Sequence, residues 1–255
     1  MAIIQAVGFF CGHGSGNYIS RQLGAKDTHN AARMAATGFF LSISLGCLIT
    51  IIGLLFLTDL SRLLGSTPTI QPYTERYLGI ILLGAPFMTG SFTMNNQMRF
   101  QGNATFAMYG IVSGALLNLI LAPLFIFVFK MGITGAATAT VLSQATSFGI
   151  LLHMTHHKRN ISIQPKAFTP TAAFFKEIVM GGTPSLSRQG LGSIATIMLN
   201  VAAGAYGDAA IAGMSIVNRI SYFVFSVIIG LGQGFQPLCG FCYGAKLYSR
   251  VRQGY

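Results

Sequence analysis

Charge of either sign is scarce in this chain of 255 residues. Only 8% of the residues are charged, five are Asp or Glu, and tryptophan is absent. A soluble globular domain carries about 25% charged residues, and so few charges could not cover a water-exposed surface. The scarcity excludes a soluble enzyme, a disordered region and a nucleic-acid-binding domain.

Long apolar runs take the place of charge, with 52% hydrophobic residues and a mean hydropathy of +0.61. A membrane-spanning helix needs about 20 mostly apolar residues, and the sequence predicts about seven such helices. Their approximate bounds are 1–20, 34–57, 77–98, 106–129, 132–154, 174–203 and 210–238. In the first of them a Gly-rich segment, residues 12–17, interrupts the apolar run. The predicted fold class is all-α, a polytopic membrane helical bundle.

The basic residues predict the orientation of the helices. Eleven of them fall on one side of the predicted membrane, and three fall on the other, namely Arg62, Arg76 and Lys130. Membrane proteins carry an excess of Lys and Arg in their cytoplasmic loops, so the net charge of +11 reflects topology and not nucleic-acid binding. We therefore expect a multi-pass protein with the loop 21–33 in the cytoplasm.

Polar side chains inside the predicted spans suggest a path for a solute. Arg188 and Arg219 fall within spans, where a charge is costly and usually faces a cavity or a bundle interior. Amide side chains also need polar partners inside a membrane. The candidate substrate-binding residues are Asn96, Arg188, Gln189, Asn200 and Gln233.

An internal repeat becomes visible when the sequence is shifted by 220 positions. Gly12-His-Gly14 then aligns with Gly232-Gln-Gly234, and Gly24-Ala-Lys26 aligns with Gly244-Ala-Lys246. Both copies are a span followed by a basic loop, so the repeat is parallel, with a pseudo-two-fold axis along the membrane normal. We expect the chain to be the middle of a protein of roughly twelve spans. The predicted domain organisation has three parts. They are most of a first lobe (1–160), a cytoplasmic linker (161–173) and the start of a second lobe (174–255).

Four segments resemble motifs of the multidrug and toxic compound extrusion (MATE) transporters. Residues 118–123 (NLILAP) and 132–140 (GITGAATAT) are similar to motifs of the fifth and sixth helices of that family. Residues 182–191 (GTPSLSRQGL) and 232–237 (GQGFQP) are similar to the seventh and eighth helices of its bacterial multidrug-export branch. The resemblance covers the whole chain, as about helices two to eight of twelve.

The resemblance implies a transporter of two lobes, not an enzyme, in the bacterial cytoplasmic membrane. It implies export of cationic and amphipathic drugs by alternating access, coupled to H⁺ or Na⁺, without a cofactor. The expected partners are membrane lipid and the drug, with neither nucleic acid nor an obligate protein partner.

The resemblance also implies a cation-coupling site. Its residues here are Asn118, the backbone carbonyl of Ala136, and Thr140, with an Asp from a helix before this segment completing the set. Oxygen atoms of these kinds suit Na⁺ as hard ligands, and no other metal site is expected. The family's Asp on the fifth helix is Ala122 in this chain, which removes one proton carrier.

Two other functions compete with drug export. A lipid-linked saccharide flippase of the same superfamily would need several cationic residues in its cavity for a pyrophosphate, and only Arg188 and Arg219 qualify by sequence. A membrane thiol oxidoreductase could use Cys239 and Cys242, which have the CxxC spacing of redox centres but no preceding strand.

Overall fold

The computed structural model describes residues 2–63, 71–157, 160–204 and 208–254. That part of the chain contains helices and no strand, which confirms the predicted all-α class. The α-helices, α1 to α10, are Ala2–Gly24, Thr28–Leu55, Leu57–Leu63, Gln71–Leu83, Ala85–Phe100, Ala104–Pro123, Gly132–Thr155, Ala172–Gly204, Asp208–Gly244 and Tyr248–Gly254. A π-helical segment, Leu124–Val128, continues α6, and a 3₁₀ turn, Pro165–Ala167, precedes α8.

Helices occupy all of the predicted spans. Among the described residues, α2, α6 with its π segment, α7 and the Ile216–Gly244 part of α9 are each long and apolar enough to cross a membrane, and α4 with α5 makes a fifth, bent span. Helices α1 and α8 have 23 and 33 residues but do not reach that apolarity. The Gly-rich segment 12–17 does not interrupt α1, because neighbouring helices bury it.

The third predicted span is broken at a proline. Helices α4 and α5 meet at an angle of 49°, next to Gly84, with Pro86 in the first turn of α5. Proline has no N–H to donate, so the carbonyl of Leu82 loses its helical partner. The Thr50 hydroxyl of α2 donates to that carbonyl at 2.6 Å. A neighbouring helix thus satisfies the group that the break frees, as a membrane interior requires.

Helix α1 lies at the centre of the bundle, packed against α2, α5, α8 and α9. Its glycines permit this close approach. A Cβ at Gly14 would overlap the carbonyl oxygen of Ile178 in α8, and a Cβ at Gly16 would overlap the ring of Phe100 in α5. Small residues in a membrane helix favour such close packing of neighbouring helices, and the Gly run of α1 has this role.

The second Gly run, in α9, has different surroundings. Nothing described lies within 4 Å of a Cβ built at Gly230, Gly232 or Gly234. No described helix covers this face of α9, so a packing role for this run stays a prediction.

The repeated Gly-Ala-Lys segments form two turns of the same conformation. They follow the last residues of α1 and α9, Gly24 and Gly244. Lys26 and Lys246 have left-handed backbones, with φ of 63° and 60°. Matching hydrogen bonds close the turns, from the amide of Ala25 to the carbonyl of Arg21 at 3.0 Å and from the amide of Ala245 to the carbonyl of Phe241 at 2.9 Å.

These two turns also contact each other reciprocally. A Cβ at Gly24 would overlap the carbonyl oxygen of Phe241, and a Cβ at Gly244 would overlap that of Arg21. The repeat aligns Gly24 with Gly244 and Arg21 with Phe241, so each of these contacts is the equivalent of the other. Helices α1 and α9 are therefore parallel and related by a pseudo-two-fold axis at this end of the bundle, called the basic end below because Arg21, Lys26 and Lys246 lie there.

Candidate functional site

The three residues of the predicted cation-coupling site lie together between α6 and α7. The Asn118 amide donates to the Thr140 hydroxyl at 3.4 Å, and that hydroxyl donates to the Ala136 carbonyl at 2.9 Å. Asn118 also lines a cavity of about 130 Å³ with Gln144 and Ser91. The site thus combines an amide, a hydroxyl and a carbonyl, all half-buried or beside a small cavity.

Two of the acidic residues make contacts outside this cluster. Asp27 caps α2, and Glu177 pairs with Arg21 at 2.5 Å at the basic end. Within the described ranges, no three side chains of His, Cys, Asp or Glu gather as metal ligands. The three coupling residues therefore supply neutral oxygen atoms and no negative charge.

A second candidate site is a cleft between α1, α8 and α9. It contains a cavity of about 220 Å³. The side chains around it are mostly polar, and they include His13, Ser185, Arg188, Gln233 and Gln236. Since α1 and α9 are the two copies of the repeat, the cleft lies between the two halves of the internal symmetry. We call it the inter-repeat cleft.

Arg99 links α5 to α9 beside this cleft. Its guanidinium donates to the side-chain oxygens of Asn96 in α5 and Gln233 in α9. Gln233 also lines a larger cavity of about 730 Å³, which Arg99 and Phe241 line from the basic end. The Arg99–Gln233 bond therefore lies where the two cavities adjoin.

The other predicted substrate-binding residues are placed differently. Asn96 is fully buried and holds Arg99, instead of lining the cleft. Gln189 does not line the cavity that Arg188 lines. The side chains of Asn200 and Arg219 lie outside the described part of the structure. Arg188 and Gln233 are thus the two predicted residues that the fold brings to one cavity.

Sequence reasoning missed His13 in this cleft and Arg99 in the adjoining cavity. Arg99 was counted among the basic residues of a cytoplasmic loop, although α5 extends through it. His13 is 3% exposed, bonds the Phe9 carbonyl through Nδ1 at 3.1 Å and stacks on the Phe9 ring. The internal repeat could have identified His13, because His13 aligns with Gln233, a candidate binding residue.

The CxxC pair lies inside α9 and not at a helix N-terminus. Both thiols are free, and Cys242 is buried. A helix N-terminus is what stabilises the thiolate of a redox centre. The pair therefore lacks the surroundings that the oxidoreductase alternative requires.

Comparison with known proteins identifies relatives of this sequence. A family profile described as MatE matches residues 1–124 and 184–255. The chain is 31% identical to the multidrug export protein MepA of Staphylococcus haemolyticus (strain JCSC1435) over 241 residues, and 30% identical to MepA of Staphylococcus aureus (strain MRSA252) over 241 residues. These alignments cover 94% of this chain and 53% of each relative. The chain thus spans about half the length of the curated relatives it matches.

Solved structures agree with the sequence comparison. One, described as the outward-facing conformation of a multidrug resistance MATE family transporter, matches with a TM-score of 0.90 and 29% identity, over 100% of this chain and 56% of that one. Another, MATE in the straight conformation, matches with a TM-score of 0.91 and 30% identity, over 99% and 57%. Both similarities extend along the entire described fold.

Proposed function

The chain belongs to the MatE family, whose members are transporters and not enzymes, and on that premise we propose that it contributes the inter-repeat cleft of a cation-coupled multidrug exporter. The exporter would move cationic and amphipathic drugs out across the bacterial cytoplasmic membrane by alternating access. The relatives that support this proposal carry names of multidrug export.

The observation that carries the proposal is the polar cleft between the repeated helices α1 and α9. A transporter needs a solute site between two halves that can separate at either end, and repeat interfaces provide such sites. Here the halves touch at the basic end through Gly24 and Gly244, and the Arg99–Gln233 bond lies about three turns of α9 before Gly244. Separation of these contacts would open the cleft toward the basic end.

We assign ion coupling to the cluster of Asn118, Ala136 and Thr140. Oxygen atoms of an amide, a hydroxyl and a carbonyl are ligands that Na⁺ accepts, while H⁺ coupling would need a carboxylate from outside the described residues. The Thr140 hydroxyl donates to the Ala136 carbonyl at 2.9 Å. Ion binding would compete with that bond and so connect the site to the conformation of α7.

The test uses the protein encoded by the complete gene, in membrane vesicles loaded with a fluorescent amphipathic cation. Efflux of the dye is measured under an imposed Na⁺ or H⁺ gradient. Thr140→Ala is expected to lower gradient-driven efflux about tenfold, the effect of losing one ligand bond. The matched control is Thr146→Ala on the same helix, since the exposed Thr146 hydroxyl makes the same kind of bond, to the Leu142 carbonyl at 2.9 Å. Equal loss in both variants, or efflux without either gradient, would reject the assignment.

One observation favours the flippase alternative. Arg188 lines the cleft, and Arg99 lines the cavity that adjoins it at Gln233, so this region has a cationic group that the sequence did not indicate. A flippase should bind a polyprenyl pyrophosphate in preference to the corresponding alcohol. Binding of farnesyl pyrophosphate and of farnesol, measured side by side, separates this function from drug export.

A further inference from the structure

The inter-repeat cleft contains a cation half-way along a helix. Arg188 lies at the middle of α8 and lines the cavity with Gln236 and Ser185. Among the described residues around that cavity none is acidic, and no described side chain forms an ion pair with Arg188. A charge placed at such a depth is costly unless it faces a cavity or a partner, and it commonly marks a substrate path.

A second cation adds to the positive potential. Among the described residues, Arg99 bonds two neutral amide oxygens, of Asn96 and Gln233, and its buried Nε has no partner there. The buried His13 lines the same cavity as Arg188. Amide oxygens orient a guanidinium but do not cancel its charge, so Arg188 in the cleft and Arg99 in the adjoining cavity make the described surroundings positive.

We propose that the inter-repeat cleft binds an oxyanion, a carboxylate or phosphate group of an amphipathic ligand, on the guanidinium of Arg188. The planar guanidinium suits such a group because it donates two parallel hydrogen bonds to it. The amide groups of Gln236 and Gln233 and the Ser185 hydroxyl provide further donors around the same cavity.

The proposal rests on the proposed transport and specifies its substrate. A purely cationic drug would meet repulsion from Arg99 and Arg188. A zwitterionic drug would instead be oriented, with its acidic group at Arg188 and its apolar body along α9, where Ile229 lines the cavity. We therefore expect zwitterions to be the preferred substrates among amphipathic drugs.

The experiment compares a rhodamine that carries a free carboxylate with its methyl ester, which differ by one charge. Efflux of each dye is measured in vesicles that contain the protein as its gene encodes it. Arg188→Gln is expected to reduce efflux of the acid at least about tenfold, since a charge-assisted bond is lost, and to leave the ester within about twofold. The control is Arg76→Gln, which removes an exposed arginine of α4 far from the cleft.

Each outcome is decisive for the oxyanion site. Loss of the acid's efflux alone supports it, and retention of part of that efflux by Arg188→Lys supports it further. Equal loss of both dyes would mean that Arg188 holds the structure together or acts on the ion-coupling step, and would overturn it, as would the absence of any effect.

Failure of transport itself is distinguished by equilibrium binding. If the unaltered protein exports neither dye, the proposed function fails, and fluorescence anisotropy of the acid and the ester in detergent then decides the oxyanion site. Tighter binding of the acid that Arg188→Gln removes would support the site, and equal binding of both dyes would reject it. Displacement of the acid by farnesyl pyrophosphate, but not by farnesol, would identify a phosphate-bearing lipid as the source of the oxyanion.

Discussion

Helices α1 and α9 carry the same sequence pattern in opposite surroundings. In α1 the Gly run is buried, and α8 contacts it so closely that Gly14 has no room for a side chain. In α9 the aligned Gly234 faces open space. The turns that follow the two helices nevertheless have the same backbone and the same hydrogen bonds. Local sequence therefore determines the turn, whereas the packing of a Gly run depends on which helices cover it.

The strongest test of this difference is the same substitution at two aligned positions. Gly14→Ala should destabilise the 255-residue chain by about 1–3 kcal/mol, because the new methyl group overlaps the Ile178 carbonyl. Gly234→Ala should stabilise it by up to about 1 kcal/mol, because alanine is the better helix former and meets no neighbour. Thermal unfolding in detergent measures both. Two losses of similar size would contradict the comparison.

The reciprocal contact at the basic end predicts equal and non-additive effects. Gly24→Ala and Gly244→Ala should each cost about 1–3 kcal/mol, since each methyl group overlaps a carbonyl of the other turn. The double variant should cost little more than either, because one substitution already separates the contact. Gly79→Ala is the control, as its Cβ would meet only Leu57, at 3.8 Å. Additive losses would show that the glycines act at separate contacts.

The shared turn conformation predicts a gain of stability from glycine. Lys26 and Lys246 have positive φ, which costs an L-residue about 1 kcal/mol or more. Lys26→Gly and Lys246→Gly should each recover about 1 kcal/mol. Lys26→Ala keeps the strain and removes the charge, so it should recover nothing. A gain at only one of the two positions would mean that the turns differ.

The smallest expected effect concerns a residue that the two turns do not share. Asp27 caps α2, whereas the aligned position before α10 is Leu247. Hydrogen bonds from the Asn30 amide at 3.0 Å and the Asn30 side chain at 2.7 Å lower the pKa of Asp27. The ionised Asp27 therefore contributes to stability above pH ~4, which is the pKa of Asp in the unfolded chain. This contribution is lost as the pH falls through the lower pKa of the folded state.

Asp27→Asn should remove this part of the pH dependence. Thermal unfolding at several pH values between about 2 and 6 measures it. An unchanged pH profile in the variant would assign the dependence to another group.

The long helices could be predicted from the sequence because apolar length is what a membrane requires of each span. The proximity of Asn118 to Thr140 could also be predicted, from the resemblance to the MATE transporters. Arg99 could not be placed, since its role depends on the packing of α5 against α9, which are distant in sequence. The surroundings of Gly230 and Gly234 could not be predicted either, because a small residue permits close packing without supplying the neighbour.

The most direct test of the central claim is a disulfide across the pseudo-two-fold axis. The Cβ atoms of Ser20 and of a residue at position 240 would be 3.1 Å apart, so a small outward shift of the two helices brings them to the ~3.5–4.5 Å of disulfides. Ser20→Cys with Gly240→Cys is made after the native cysteines are replaced by serine, and dye efflux is measured before and after oxidation. The account predicts a cross-link that stops efflux until it is reduced, because the repeats must separate at the basic end. Failure to cross-link, or full efflux by the cross-linked protein, would contradict it.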